Sequence, residues 1–205
     1  MFTGLIQAVG RIAEIESGKQ DIRLRIDTGK LPLEGVSLGD SIATSGVCLT
    51  VTDLPGGGFW ADVSPETLSL TTLGGKGVGD PVNLETSLTL STPLGGHLVS
   101  GHVDGVGHVE QIIEDDRFWR VRITSPANLA RYIAMKGSIC VDGTSLTVNQ
   151  VAGNAFDLTI IPQTWEETVF SDYEVGSAVN LEVDVIARYL ERLMQYEQTN
   201  PGLPS

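Results

Sequence analysis

The chain matches itself when it is slid along by 97 positions. Gly4, Val9 and Gly10 fall on Gly101, Val106 and Gly107, and Gly46, Leu49, Thr50 and Val51 fall on Gly143, Leu146, Thr147 and Val148. Val82, Asn83, Leu84 and Glu85 fall on Val179, Asn180, Leu181 and Glu182. About 23 identities recur over about 88 aligned positions, with no insertion or deletion. That period is longer than the roughly 20–50 residues of solenoid units, so each copy is expected to be a small domain with its own core.

Inside each copy the hydrophobic period is two. Ile22, Leu24 and Ile26 alternate with polar residues, as do Trp119, Val121 and Ile123. Turn signals such as Pro55-Gly56-Gly57-Gly58 and Gly153-Asn154 interrupt the chain often. Six short strands per copy follow, near residues 5–15, 20–27, 41–44, 47–53, 58–64 and 81–88 and again 97 later, a pattern of an all-β barrel or sandwich. Prolines at 65 and 162 suit the first position of short helices, and residues 126–133 are a third helical candidate. After residue 184 the texture becomes helical: Val185, Ile186, Tyr189, Leu190, Leu193 and Met194 form one stripe. That stripe suits a helix packed on its own barrel or one that joins copies of the chain.

The 205 residues carry 13 basic and 26 acidic side chains, a net charge of −13. Such a surface repels phosphate backbones and anionic lipids, so nucleic acid and membrane are poor partners. No apolar run approaches the ~18 residues of a membrane span, and the N-terminus lacks the pattern of a secretory signal. Two cysteines, Cys48 and Cys140, form neither a disulfide framework nor a metal-ligand spacing, and reduced thiols in the cytoplasm are expected.

The phrase GVCLTV (46–51) returns as GTSLTV (143–148). On a strand, Cys48 and Thr50 share one face and Leu49 and Val51 the other, with Ser145, Thr147, Leu146 and Val148 repeating the arrangement. The polar pairs are either solvated strand faces or the walls of two ligand pockets. The copies differ at chemically telling places: Leu5 against His102, Cys48 against Ser145, Glu66 against Gln163, and Gly39 against Lys136. Two pockets of one shape with different chemistry suit two molecules of one ligand in different roles. His97, His102 and His108 crowd the join between the copies, but their spacing is not that of a zinc site. No metal is expected, whereas a histidine beside Gly101 suits proton transfer near neutral pH.

The opening MFTGLIQAVG, the phrase GVCLTV, the join GGHLVSGHVDG and the phrase DGTSLTV together resemble the riboflavin synthase family in its trimeric alpha-chain form, over about residues 1–195. The resemblance implies two six-stranded Greek-key barrels at 1–97 and 98–184, each binding a lumazine. It further implies an oligomerisation helix at 185–198 that gathers three chains with active sites between them, and a flexible tail at 199–205. The implied reaction is dismutation of two 6,7-dimethyl-8-ribityllumazine molecules to riboflavin and 5-amino-6-ribitylaminouracil, without a cofactor. Lumazine synthase is an implied assembly partner.

Carried over residue by residue, Gly4, Leu5 and Ile6 border the ring in the first barrel, with Cys48, Leu49 and Thr50 as second wall and Ser41 beside them. Asp62, Val63, Ser64, Pro65, Glu66 and Thr67 hold the ribityl chain. In the second barrel the equivalent places go to Gly101, His102 and Val103, to Ser145, Leu146 and Thr147, and to Thr159, Ile160, Ile161, Pro162, Gln163 and Thr164, with Lys136 a further contact. His102, Ser145, Thr147, Cys48 and Asp184 are the implied chemical groups. Ser45 and Gln163 depart from the family's usual residues, asparagine or aspartate and glutamate, but keep hydrogen-bonding capacity. The alternative is a non-catalytic, fluorescent lumazine- or flavin-binding protein on the same barrels. A flavin-reductase-like module would need a nicotinamide domain for which two barrels leave no room.

Overall fold

Alternation of apolar and polar residues becomes twelve antiparallel strands in a computed structural model that describes residues 1–18 and 21–199. The first copy holds β1 (Ala8–Ser17), β2 (Ile22–Asp27), β3 (Ser41–Thr44), β4 (Val47–Thr50), β5 (Gly58–Val63) and β6 (Pro81–Thr86). They form a sheet in the order β4-β3-β6-β1-β2-β5. The second copy holds β7 (Gly105–Asp115), β8 (Phe118–Thr124), β9 (Ser138–Val141), β10 (Thr144–Ala152), β11 (Ala155–Ile160) and β12 (Ala178–Val183), which close into a barrel. The same pairings recur in both, and the two copies differ at the closure. β10 runs on to pair with β11, whereas the counterpart of that seam in the first copy is a single bridge, Asp53–Trp60. Pro55, which has no N–H to donate, and the three glycines after it cut β4 short.

Short helices follow the fifth strand of each copy: α1 (Pro65–Leu70) and α2 (Pro162–Glu167), each opening on its proline. Ser64 caps α1 by accepting from the Thr67 N–H, while the equivalent Ile161 leaves α2 without a side-chain cap. The expected helix at 126–133 is instead one 3₁₀ turn, Ala130–Tyr132, too short to satisfy more than its own end. The last element, α3 (Val185–Thr199), covers the expected 185–198; beyond Thr199 the expected tail lies outside the described residues.

Each barrel packs its own core. Leu24, Ile26, Ile42, Leu49, Phe59 and Leu84 fill the first, and Val121, Ile123, Ile139, Phe156, Leu158 and Leu181 the second. A third, smaller core joins them: Phe2, Val99, Ala43 and Cys140, with Cys48 against it. Phe2 and Val99 are repeat partners, as are Ala43 and Cys140, so the barrels meet about a local twofold axis. Gly46 and Gly143 lie on that axis at φ +77° and +83°, and a Cβ on either would stand 2.7 or 2.9 Å from the other's amide nitrogen. Only glycine allows both the backbone angle and the approach, which accounts for its recurrence. Asn83 and Asn180 latch the halves reciprocally. Asn83 donates to the Asp142 carbonyl (2.8 Å) and accepts from the Val169 N–H (2.9 Å); Asn180 donates to the Ser45 carbonyl (2.8 Å) and accepts from the Thr72 N–H (2.8 Å).

Candidate functional site

The repeated phrase forms β4 and the start of β10, with faces as the alternation requires. Leu49 and Val51 are buried in the first core, while Cys48 is half-buried and Thr50 exposed. Ser145 is half-buried and Thr147 exposed in the second copy. Each polar pair therefore faces out of its barrel, and what covers it comes from elsewhere in the chain.

The cover is crossed. Phe2 and Val99 form an antiparallel bridge, with Phe2 N–H donating to the Val99 carbonyl at 2.7 Å and Val99 N–H returning at 3.1 Å. From that bridge the two arms diverge, each toward the other copy's strand. The Ser145 N–H donates to the Gly4 carbonyl at 2.8 Å, and the Cys48 N–H donates to the Gly101 carbonyl at 2.9 Å. Gly4 (φ +75°) and Gly101 (φ +80°) run flush: a Cβ there would lie 2.5 Å from the Ser145 Cβ or 2.7 Å from the Cys48 Cβ. This corrects the expected grouping. Gly4 lies on the second barrel's phrase, with Leu5 and Ile6 following it, and Gly101 lies on the first, with His102 and Val103 following it.

One group that the carry-over did not select sits at the second phrase. His97 is buried, its Nδ1 stands 2.6 Å from Ser145 Oγ, and its N–H donates to the Thr3 carbonyl at 3.1 Å. Its Nε2 is buried with no hydrogen-bond partner. Burial pulls the imidazole below its ordinary pKa, against the opposing charge of Asp184. A neutral imidazole at neutral pH can take a proton from the serine hydroxyl or hold it toward a ligand. His97 escaped the repeat because its counterpart position, Met194, lies in α3.

The other expected residues border these two faces unequally. The His102 side chain is exposed, its N–H donates to Glu182 (3.1 Å) and its carbonyl accepts from Arg188 (3.3 Å). Asp184 caps α3 by accepting from the Ile186 N–H at 3.0 Å. Ser41 pairs with Thr50 across β3 and β4, beside a groove of about 660 Å³ that also takes in Gln7, Leu31, Asp40 and Thr86. Ser41 is the one expected residue lining that groove. Asp62, Ser64, Pro65 and Glu66 are exposed at the β5–α1 corner, with Val63 pointing into the core and Thr67 half-buried. Thr159, Ile161 and Gln163 are exposed at the β11–α2 corner, where Ile160 is buried and Pro162 and Thr164 are half-buried. Lys136 is exposed at φ +66°, where its counterpart is Gly39 at φ +90°. No cluster of three or more histidine, cysteine or acidic side chains suited to a metal occurs among the described residues.

A family model for the lumazine binding domain matches residues 3–87 and again 100–184, the same two copies. The riboflavin synthase of Photobacterium phosphoreum is 48% identical over 194 residues, covering 95% of this chain and 89% of that one. The chain belongs to the riboflavin synthase family. The riboflavin synthase of Bacillus subtilis is 40% identical over 200 residues, covering 98% of this chain and 93% of that one. Among solved structures, LumP complexed with riboflavin superposes with a TM-score of 0.82 at 27% identity, over 89% of this chain and 99% of that one. LumP complexed with 6,7-dimethyl-8-(1'-D-ribityl) lumazine gives 0.79 over the same shares. No helix among the described residues is long and apolar enough to cross a membrane.

Proposed function

We infer that the chain is a transferase that dismutates two 6,7-dimethyl-8-ribityllumazine molecules. A four-carbon unit passes from one to the other, leaving riboflavin and 5-amino-6-ribitylaminouracil. The two products hold the same atoms as the two substrates, so the reaction consumes no oxidant, reductant or cofactor. The observation that carries this reading is the His97–Ser145 pair set against the Gly4 arm, in a chain 48% identical to a riboflavin synthase along nearly its whole length.

Each crossed face is one lumazine seat. In the first, Cys48 and Thr50 meet Gly101, His102 and Val103; in the second, Ser145 and Thr147 meet Gly4, Leu5, Ile6 and His97. The β5–α1 and β11–α2 corners take the ribityl chains, and Ser41 and Lys136 add polar contacts. Holding two reactants in register supplies on the order of 7–11 kcal/mol toward the barrier. The remaining work is proton transfer: a C7 methyl must lose a proton and a nucleophile must add at C7 of the partner. His97 with Ser145 serves the second seat and His102 with Cys48 the first, with Asp184 tuning His97.

Both seats lie at the surface of one chain, and α3 leaves an apolar face uncovered, with Ile186 62%, Leu190 54%, Leu193 62% and Met194 59% exposed. Three chains joined through α3 bring a first seat of one against a second seat of its neighbour and stack the two rings. The enzyme works in the cytoplasm, with lumazine synthase as the source of its substrate.

The test is to incubate purified protein with 6,7-dimethyl-8-ribityllumazine alone and chromatograph the products. Riboflavin and the ribitylaminouracil in equal amounts are expected, and His102→Gln should retain binding while turnover falls by at least about tenfold. Intact lumazine with altered fluorescence would instead make the barrels a binding module, the behaviour that the LumP likeness would then explain.

A further inference from the structure

Two carboxylates recur in places where a carboxylate is expensive. Glu85 on β6 and Glu182 on β12 are repeat partners, and each is only 3% exposed. Neither forms a salt bridge with a described side chain. A buried carboxylate without a cation is tolerated only when N–H and O–H donors replace water. Here the donors all come from the crossing arms. Glu85 accepts from the Thr3 N–H (2.7 Å), the Thr3 hydroxyl (2.6 Å) and the Gly4 N–H (2.9 Å). Glu182 accepts from the Ser100 N–H (2.7 Å), the Ser100 hydroxyl (2.6 Å), the Gly101 N–H (2.9 Å) and the His102 N–H (3.1 Å).

The next link in each chain of bonds leads away from the barrel that owns the carboxylate. The glycine whose N–H the carboxylate holds uses its carbonyl to receive the other barrel's strand: Gly4 receives Ser145, and Gly101 receives Cys48. We propose that Glu85 and Glu182 are positioning residues that act crosswise, each fixing from its own barrel the arm that walls the other barrel's ligand seat. Glu85 thus sets the Gly4 arm against Ser145 and His97, and Glu182 sets the Gly101 arm, with His102 next to it, against Cys48. This rests on the two-seat reading above. An anchor that only stabilised its own barrel would disturb both seats alike, or the seat nearest to it in sequence.

The chain contains three histidines, and two of them report on the seats separately: His97 stands against Ser145, and His102 directly follows Gly101, whose carbonyl receives the Cys48 N–H. Protein labelled with ¹⁵N-histidine is titrated with a non-reacting ribityllumazine in which an oxygen at C7 replaces the methyl that must lose a proton, and the imidazole signals are followed in wild type, Glu85→Gln and Glu182→Gln. An amide keeps the size but turns one acceptor into a donor facing N–H groups. In Glu85→Gln the His97 signal should need at least about tenfold more ligand to saturate, while the His102 signal shifts by less than about twofold; Glu182→Gln should do the reverse. Thr3→Val removes the hydroxyl that donates to Glu85 and accepts from the Leu5 N–H, and Ser100→Ala removes the one that donates to Glu182, both without altering the carboxylate; they should repeat the crossed pattern at roughly threefold and carry the comparison if either glutamine variant fails to fold. Equal effects at both histidines, an effect in the carboxylate's own seat, or none would overturn the proposal. A wild-type protein in which only one histidine, or neither, responds to lumazine would overturn the two-seat reading instead.

Discussion

Replacing Asp142 with asparagine should change how stability depends on pH, by an amount that follows from its surroundings. Asp142 lies in the turn between β9 and β10, 3% exposed, and accepts from the Asn180 N–H at 2.8 Å and from the Tyr173 hydroxyl. Burial pushes its carboxyl from 3.8 up to about 6, against the opposing hydrogen bonds from Tyr173 and Asn180 and the charge of Lys76. The folded state therefore holds the proton better than the unfolded chain. Its stabilising contribution is full below pH 3.8 and disappears as the pH rises through about 6. Between pH 7.5 and pH 5 that contribution grows from almost nothing to about 1.4 kcal/mol. Going lower would approach the isoelectric point near 4.5 and invite precipitation. Asparagine cannot titrate, keeps an acceptor for either donor, and tolerates the local φ of +42°. Urea unfolding of both proteins at the two pH values gives the difference directly, and the titration of His97 and other groups cancels in it. The stability of wild type relative to Asp142→Asn should rise by about 1.4 kcal/mol on going from pH 7.5 to 5, roughly half a molar in urea midpoint. A difference that stays flat, or moves the other way, would refute a raised Asp142.

Gly143→Ala should cost more than about 2 kcal/mol in thermal melting, because strain at positive φ adds to the clash with Gly46, whereas Gly153→Ala should cost only about 1, since it has positive φ (+64°) but open space around it. In a thiol titration with Ellman's reagent one cysteine should react in the native protein and the second only on unfolding: Cys140 is 1% exposed and burial pushes its thiol well up, whereas Cys48 is half-buried beside Gly101. Asn180→Ala leaves the Thr72 N–H and the Ser45 carbonyl without partners across the barrel junction, and should lower unfolding free energy by about 2–4 kcal/mol. Leu190→Glu with Leu193→Glu should leave sedimentation at the mass of a single chain if α3 joins three copies.

Most of the strands were legible because the alternation that identifies a strand also says which side faces the core. Residues 41–44 were expected as a strand and are one, with Ile42 in the first core. Two mismatches have local causes that lie in the sequence itself: the early end of β4 before Pro55, and the collapse of 126–133 into one 3₁₀ turn. The pairing of arm with barrel was not legible. An arm that covers its own barrel and an arm that crosses to the other leave a repeat of 97 residues identical, since swapping two equivalent segments about a twofold axis changes no spacing. His97 was hidden for a related reason, having a methionine of α3 as its formal counterpart.

Residue pattern alone therefore accounts for the duplication, the twelve strands, the direction in which Cys48 and Ser145 face, and the family. These rest on interactions between residues close together in the chain, where period and turn chemistry suffice. The crossed arms, the His97–Ser145 contact, the Glu85 and Glu182 clasps and the glycine contact on the axis required the fold. Each joins residues 48 to 141 positions apart, and there the partner is selected by packing, through the bridge between Phe2 and Val99 and the small core around it.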